Sequence, residues 1–396
     1  MKAGNLIITI KESFWTRFFS TLGVFVLLDI TKWIPLRFWG ATSGEHFVDT
    51  KQILNSVSCV DSNADSLMNE LCSNYIYGEF LIRSLDWLHI GPSVTAIIGY
   101  LFLAILAAVL ARASYKSEVS KLMYLGLILS PPIILLAERA NFDVLMLMLV
   151  FMAGLLSSRD RAGYSTVLLA MASVIKFYTT PLMLLVSLSS KKRIFQILTF
   201  IFATAVSFQV VVEIYRLKQS ITAPKEKTYN NGSGFGFDIW SGYLPRFRIP
   251  FQINEEFLGY FISTFVIVLL GLAVIWNISR KKNDLWSTLI RDPEGFRVFE
   301  FFLATHLSCY FAGISIDYRL IFIVCGSLSY LSSVTPNEIW HYEKLAVCGL
   351  LLISLWCTDP SDGLQFIGDL SLTLLTLLLT ARAFQFRFGN LRTRRK

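Results

Sequence analysis

Long uncharged runs alternate with short polar stretches along this chain. Apolar segments lie near residues 18–35, 94–110, 122–137, 142–156, 194–214, 257–276, 299–314, 320–334, 345–357 and 366–381. A helix crossing a bilayer needs roughly 20 apolar residues, and several of these segments are shorter, so their ends can move by a few positions. Residues 165–190, STVLLAMASVIKFYTTPLMLLVSLSS, break the pattern. Two apolar halves meet there at Lys176–Pro181. Neither half spans a bilayer alone, and Pro181 disfavours one continuous helix. The pattern predicts an all-α, polytopic integral membrane protein. It is a single membrane domain over residues 1–396, built from about ten transmembrane helices plus a short-helix hairpin at 165–190.

Composition supports a membrane class. The 396 residues are 54% hydrophobic and 16% charged, with mean hydropathy +0.56. Soluble domains carry about 25% charged residues, which excludes an ordinary water-soluble fold. The 32 Phe, 15 Tyr and 9 Trp suit lipid-facing helices with aromatic anchors at the interfaces. The formal charge of +8 does not indicate nucleic acid, because the basic residues cluster beside apolar spans, where cytoplasmic loops place them. The first apolar stretch follows Lys2, Lys11 and Arg17 without a small-residue cleavage site and reads as a retained span.

Charge sets the orientation. With the N-terminus inside, the cytoplasmic loops carry Arg112, Lys116 and Lys121, then Arg159 and Arg161, then Lys191, Lys192 and Arg193, then Arg280, Lys281, Lys282 and Arg291. This alternation requires the 165–190 stretch to enter and leave on one side, and it leaves both termini cytoplasmic. Two long loops, 36–93 and 215–256, then fall outside the cytoplasm. Cys59 and Cys72 share the first of them and form the one plausible disulfide pair, given an oxidising compartment. Cys309, Cys325, Cys348 and Cys357 lie in or beside apolar segments and read as packing residues.

On this topology the unusual polar residues collect at the outer side. Asp49 lies in HFVDTKQIL, which can form a helix on the membrane surface. Glu138, Arg139, Asn141 and Asp143 form the turn ERANFD. Lys176 and Tyr178 sit at the hairpin tip, and Asp317, Tyr318 and Arg319 form the turn SIDYRLIF. Each turn alone reads as an ordinary polar connection, and Lys176 alone as a lysine snorkelling to the headgroups. A lysine at bilayer depth costs about 2.5–3.5 kcal/mol on insertion scales, so its conjunction with three polar turns on one side points to a site. Arg139, Lys176 and Arg319 suit a phosphate or pyrophosphate, arginine as a bidentate donor and lysine as a point charge. A carboxylate above them, best Asp49, can deprotonate an acceptor hydroxyl. A lipid-linked sugar phosphate fits this geometry, with its tail in the bilayer and its phosphate at the interface.

The same motifs carry a resemblance. A first-loop Asp, then ERANFD before an apolar helix, then a short helix ending IKFYTTPLMLL, resembles GT-C-type glycosyltransferases. The nearest branch is the glycosyltransferase family 87 mannosyltransferase-like group, which often shows an R-G-N-F/I-D turn followed by a K-x-Y-P element. Here Ala140 replaces the glycine and the proline is displaced by two residues. The DYRLIF turn also looks like that of related bacterial membrane proteins of unassigned function. The resemblance spans roughly residues 14 to 335. It implies a GT-C-like bundle, a polyprenyl-phosphate donor of a hexose or pentose such as mannose, and a glycan or glycolipid acceptor. It also implies an active site outside a bacterial inner membrane, inversion at the anomeric carbon, and an essential first-loop carboxylate that maps to Asp49. Its departures leave the sugar and the phosphate ligands open.

No cofactor is called for. His46, His89, His306 and His341 are scattered, without the spacing of metal ligands, and His46 beside Asp49 reads as incidental. No Walker loop or dinucleotide fingerprint argues for a nucleotide donor bound in the cytoplasm. Two other functions remain open at this stage. A transporter or flippase of a lipid-linked saccharide also uses buried cations and broken helices, and predicts access to the cluster from both faces. A polysaccharide polymerase is chemically close to the transferase.

Overall fold

The computed structural model describes residues 13–31, 46–57, 79–115, 119–189, 193–194, 196–206, 234–235, 290–311, 315–334, 340–357 and 362–393. These are overwhelmingly helical. The expected span at 257–276, most of the 215–256 loop, and both Cys59 and Cys72 lie outside the described residues.

The helices are α1 (Phe14–Ile30), α2 (Val48–Val57), α3 (Glu79–Trp87), α4 (Thr95–Ser114), α5 (Lys121–Ile128), α6 (Pro131–Arg139), α7 (Asp143–Ser158), α8 (Ala162–Ile175) and α9 (Pro181–Ser189). They continue with α10 (Gln196–Val206), α11 (Pro293–Phe311), α12 (Ile321–Ser333), α13 (Trp340–Trp356) and α14 (Asp362–Thr393). Among the described residues, Pro92–Ser114 and Leu364–Phe386 are each long and apolar enough to cross a membrane. The pair α5 and α6 makes a third if counted as one broken span, while α7, α8, α10 and α12 are shorter apolar helices. The chain is therefore built as a membrane-embedded helical protein.

The segment expected as one span at 122–137 is bent by 52° between α5 and α6. The physical cause is Pro131–Pro132. A residue before proline is pushed out of the α region, and Ser130 adopts extended backbone (φ −68°, ψ 145°) with Pro at the first turn of α6.

The centre of the bundle is α12, all of whose residues from Ile321 to Ser333 are buried. A helix without a polar face can lie only where neighbours cover it all round, and α11, α4 and α13 do so. Gly154 lets α7 approach α11 closely, since a Cβ there would lie 3.1 Å from Val298 Cα. Small residues bring helix backbones together where no hydrophobic gain separates lipid from leucine.

The bundle has two polar ends. At one, Arg112 from the end of α4 and Arg159 from the end of α7 both reach Glu294 at the start of α11, at 3.3 and 3.2 Å. There too, buried Arg17 of α1 donates to the carbonyls of Ser114 and Val119. At the other end lie the start of α7 and the close of α6 and α8. The 16 residues of α7 separate these ends by about 24 Å at 1.5 Å per residue. A short antiparallel pairing, β1 (Gly234–Phe235) with β2 (Ser315–Ile316), joins the second long loop to the segment just before Arg319.

Candidate active site

The turn between α6 and α7 organises this second end. Ala140 closes α6 in the left-handed conformation (φ 44°, ψ 52°), a geometry that favours glycine and reverses the chain tightly. Asn141 Oδ1 then accepts from the Asp143 backbone N–H at 2.8 Å, the local side-chain bond for which Asn is favoured in turns. The turn also holds α2. Thr50 Oγ1 donates to the Ala140 carbonyl, and the Phe47 N–H donates to the Glu138 carbonyl at 3.0 Å.

Docked this way, α2 delivers Asp49 to the turn. Arg139 places Nε at 2.8 Å and Nη2 at 2.7 Å from Asp49 Oδ1. Asn141 Nδ2 donates to the other oxygen, Asp49 Oδ2. The carboxylate is thus oriented by a charge-assisted fork on one side and a neutral amide on the other.

Lys176 enters from the opposite side. α8 stops at Ile175 and Lys176 is extended (φ −143°, ψ 118°). A 3₁₀ turn, Phe177–Thr179, carries the chain into α9, which begins at Pro181. The break aims the lysine inward: Nζ donates to Asp143 Oδ1 at 2.7 Å and to Asn141 Oδ1 at 3.3 Å. Tyr178 also donates its hydroxyl to Asp143 Oδ1. Arg319, on the 3₁₀ turn Asp317–Leu320, places Nε at 3.4 Å from Asp143 Oδ2 and lies over the Tyr178 ring at 5.4 Å. Such stacking is characteristic of the planar guanidinium.

The result is one connected polar network across four elements. Arg139 and Asn141 hold Asp49. Asn141 also accepts from Lys176, and Lys176, Tyr178 and Arg319 converge on Asp143. Exposure decides which members can meet a ligand first. Asp143 is 0% and Lys176 4% exposed, whereas Arg319 is 15% and Arg139 31% exposed. The arginines form the accessible rim over a sealed lysine–aspartate pair. The cations expected to await a phosphate thus already hold carboxylates. This is physically necessary, because an isolated charge at such burial is strongly disfavoured.

The remaining candidates behave differently. Glu138 is buried at the end of α6, where its backbone carbonyl anchors Phe47. The side chains of Asp317 and Tyr318 lie outside the described residues. Among the described residues, no three His, Cys, Asp or Glu side chains are grouped to hold a metal ion. One cluster escaped the sequence. His46 Nδ1 donates to Asp29 Oδ1 at 2.6 Å, and the Tyr100 hydroxyl donates to Asp29 Oδ2 at 2.9 Å. The signal available was Asp29 itself, a carboxylate inside an apolar helix, which is costly enough to ask for a partner.

Residues 78–290 match the model of glycosyltransferase family 87, more than half of the chain. The chain belongs to this family. No curated protein and no solved structure matches it. The family 87 match covers the ERANFD turn, Lys176 and Tyr178, but neither Asp49 nor Arg319. Those two are joined to it by the fold, through Arg139, Asn141 and Asp143. As a member of family 87, the protein is a membrane-embedded glycosyltransferase that brings together a sugar donor and an acceptor.

Proposed function

We propose that this glycosyltransferase moves a hexose or pentose, mannose being one candidate, from a polyprenyl-phosphate donor to a glycan or lipid acceptor outside the cytoplasmic membrane. The observation that carries the reading is the polar network itself, in which Asp49 and three cations are tied together at one end of an apolar bundle. The acceptor oxygen attacks the anomeric carbon and its proton passes to Asp49. The bond from that carbon to the phosphate oxygen breaks, and its electron pair leaves on the phosphate. Attack from the face opposite the leaving group inverts the configuration. Arg139, Lys176 and Arg319 stabilise the departing phosphate, the arginines from the rim and Lys176 from beneath it, and the carboxylates that hold them keep the dipoles set before the ligand arrives. Asn141, Asp143 and Tyr178 keep the cations in place. The reaction as drawn invokes no metal or cofactor.

Charge supports the orientation. Arg112 and Arg159 mark the end opposite the network, and positive residues favour the cytoplasmic side. This supports placing the network on the extracytoplasmic side and both termini in the cytoplasm, and the resemblance adds a bacterial inner membrane as the membrane concerned. The test is transfer of radiolabelled sugar from a panel of polyprenyl-phosphate donors by the purified protein, alongside Asp49→Asn. A positioned general base contributes about 10²–10⁴-fold, so the variant should lose at least about 100-fold while remaining folded. Undiminished transfer by Asp49→Asn removes Asp49 from this role. Absence of transfer from every donor rejects the reading in favour of saccharide transport.

A further inference from the structure

The Asp29–His46–Tyr100 cluster lies apart from the hydrogen bonds of the Asp49 network, yet the chain connects the two closely. Phe47, between His46 and α2, is left-handed at φ 56°, a strained state for a bulky side chain that persists only when its surroundings impose it. Two contacts impose it here. The Phe47 N–H is held by the Glu138 carbonyl at 3.0 Å. Its ring sits against Gly99 so closely that a Cβ there would lie 2.3 Å from it. This fixed turn sends His46 to Asp29 while Asp49, three positions on, faces Arg139 and Asn141.

Asp29 is 6% exposed in the last turn of α1, where a negative charge also opposes the helix dipole. Both its oxygens are taken, one by His46 and one by Tyr100. The His46 side chain is nevertheless 42% exposed. Because a carboxylate only accepts, Nδ1 carries the proton. With Nδ1 held in this way, Nε2 of a neutral imidazole is a hydrogen-bond acceptor. Among the described residues Nε2 has no partner. The half-exposed Tyr100 ring lies beside Phe47 and completes a shelf of polar tips on an aromatic base.

We infer that His46 is an acceptor-binding residue: its Nε2 receives a hydrogen bond from a hydroxyl of the acceptor sugar, and Asp29 positions the ring and fixes its tautomer. The ligand class is a polyol presented from outside the lipid. The inference rests on the transferase reading above. It assigns to this cluster the choice of which acceptor hydroxyl faces Asp49, a task distinct from removing the proton.

The variants separate binding from support. His46→Asn keeps an N–H for Asp29 but removes the outward nitrogen, whereas His46→Gln places an amide near the Nε2 position. With octyl mannoside and octyl glucoside as acceptors, His46→Asn should lower kcat/KM for the acceptor about tenfold, the worth of one good hydrogen bond. The donor KM should stay within about twofold, and His46→Gln should recover most of the loss. If His46→Asn matches wild type while Asp49→Asn is inactive, the inference is wrong and the transferase reading stands. If wild type transfers nothing, the transferase reading fails, and carbethoxylation of His46 followed by mass spectrometry still decides. Protection of His46 by the octyl glycosides upholds polyol binding, and equal labelling with and without them rejects it.

Discussion

Replacing Lys176 by Met removes a buried cation without leaving a large hole. The structure permits an estimate of the cost. Lys176 Nζ lies 2.7 Å from Asp143 Oδ1, and Arg319 Nε lies 3.4 Å from Oδ2. At an effective dielectric of about 20 these separations correspond to about 6 and 5 kcal/mol of attraction, so the two cations share Asp143 almost evenly. Breaking a buried pair by deleting one partner costs about 3–5 kcal/mol. With Arg319 and the Tyr178 hydroxyl still on Asp143, the loss should fall near the low end, about 3 kcal/mol. The double variant Lys176→Met/Asp143→Leu removes the carboxylate as well. It also takes the carboxylate from Arg319 and from the Tyr178 hydroxyl, the latter at about 1–2 kcal/mol, and should be less stable than the single variant, in which Arg319 still pairs with Asp143. Reversible denaturant unfolding in mixed micelles, followed by tryptophan fluorescence, measures both. The reasoning is refuted if the single variant lies within about 1 kcal/mol of wild type, or if the double is more stable than the single. The single variant, in the fraction that remains folded, should be inactive, since Lys176 is assigned to the donor phosphate.

Two further outcomes follow from the geometry. Ala140→Gly should stabilise by about 0.5 kcal/mol in the same unfolding assay, because relief of about 1–2 kcal/mol of left-handed strain exceeds the entropy a glycine adds to the unfolded chain; sugar transfer should be unchanged. Arg382→Met should cost about 3–5 kcal/mol, because Arg382 Nε donates at 2.6 Å to the buried Glu343, which also takes the Tyr330 hydroxyl. Unlike Lys176→Met, it should leave the donor KM of the surviving folded protein unaltered, as measured by transfer at varied donor concentration.

Much about this protein was legible in the order of its residues. Apolar runs at this density can be covered only by lipid or by other helices, so the membrane class follows from hydropathy alone. Lys176 followed by Pro181 announces an interruption, because proline removes a backbone donor and lysine rejects the hydrocarbon, and a break is found from Lys176 to Thr180. The ERANFD turn was conspicuous for the same reason, since charged residues seldom interrupt spans without cause. The break at Pro131 was also written in the sequence, yet the uninterrupted hydropathy of 122–137 hid it, because hydropathy does not register backbone geometry.

Only the tertiary structure decided the pairings. Asp49 lies 90 positions from Arg139, and Asp143 lies 176 from Arg319, and no local pattern ties such distant residues. Thr50, Phe47 and the left-handed Ala140 bring α2 onto the turn, and that docking selects Arg139 and Asn141 as the partners of Asp49. The role of His46 was invisible for a related reason. Its neighbour in sequence is Asp49, but its partner in space is Asp29 of the preceding helix. Sequence distance sets which residue types are available, whereas burial forces each charge to find its counterpart wherever the fold has placed one.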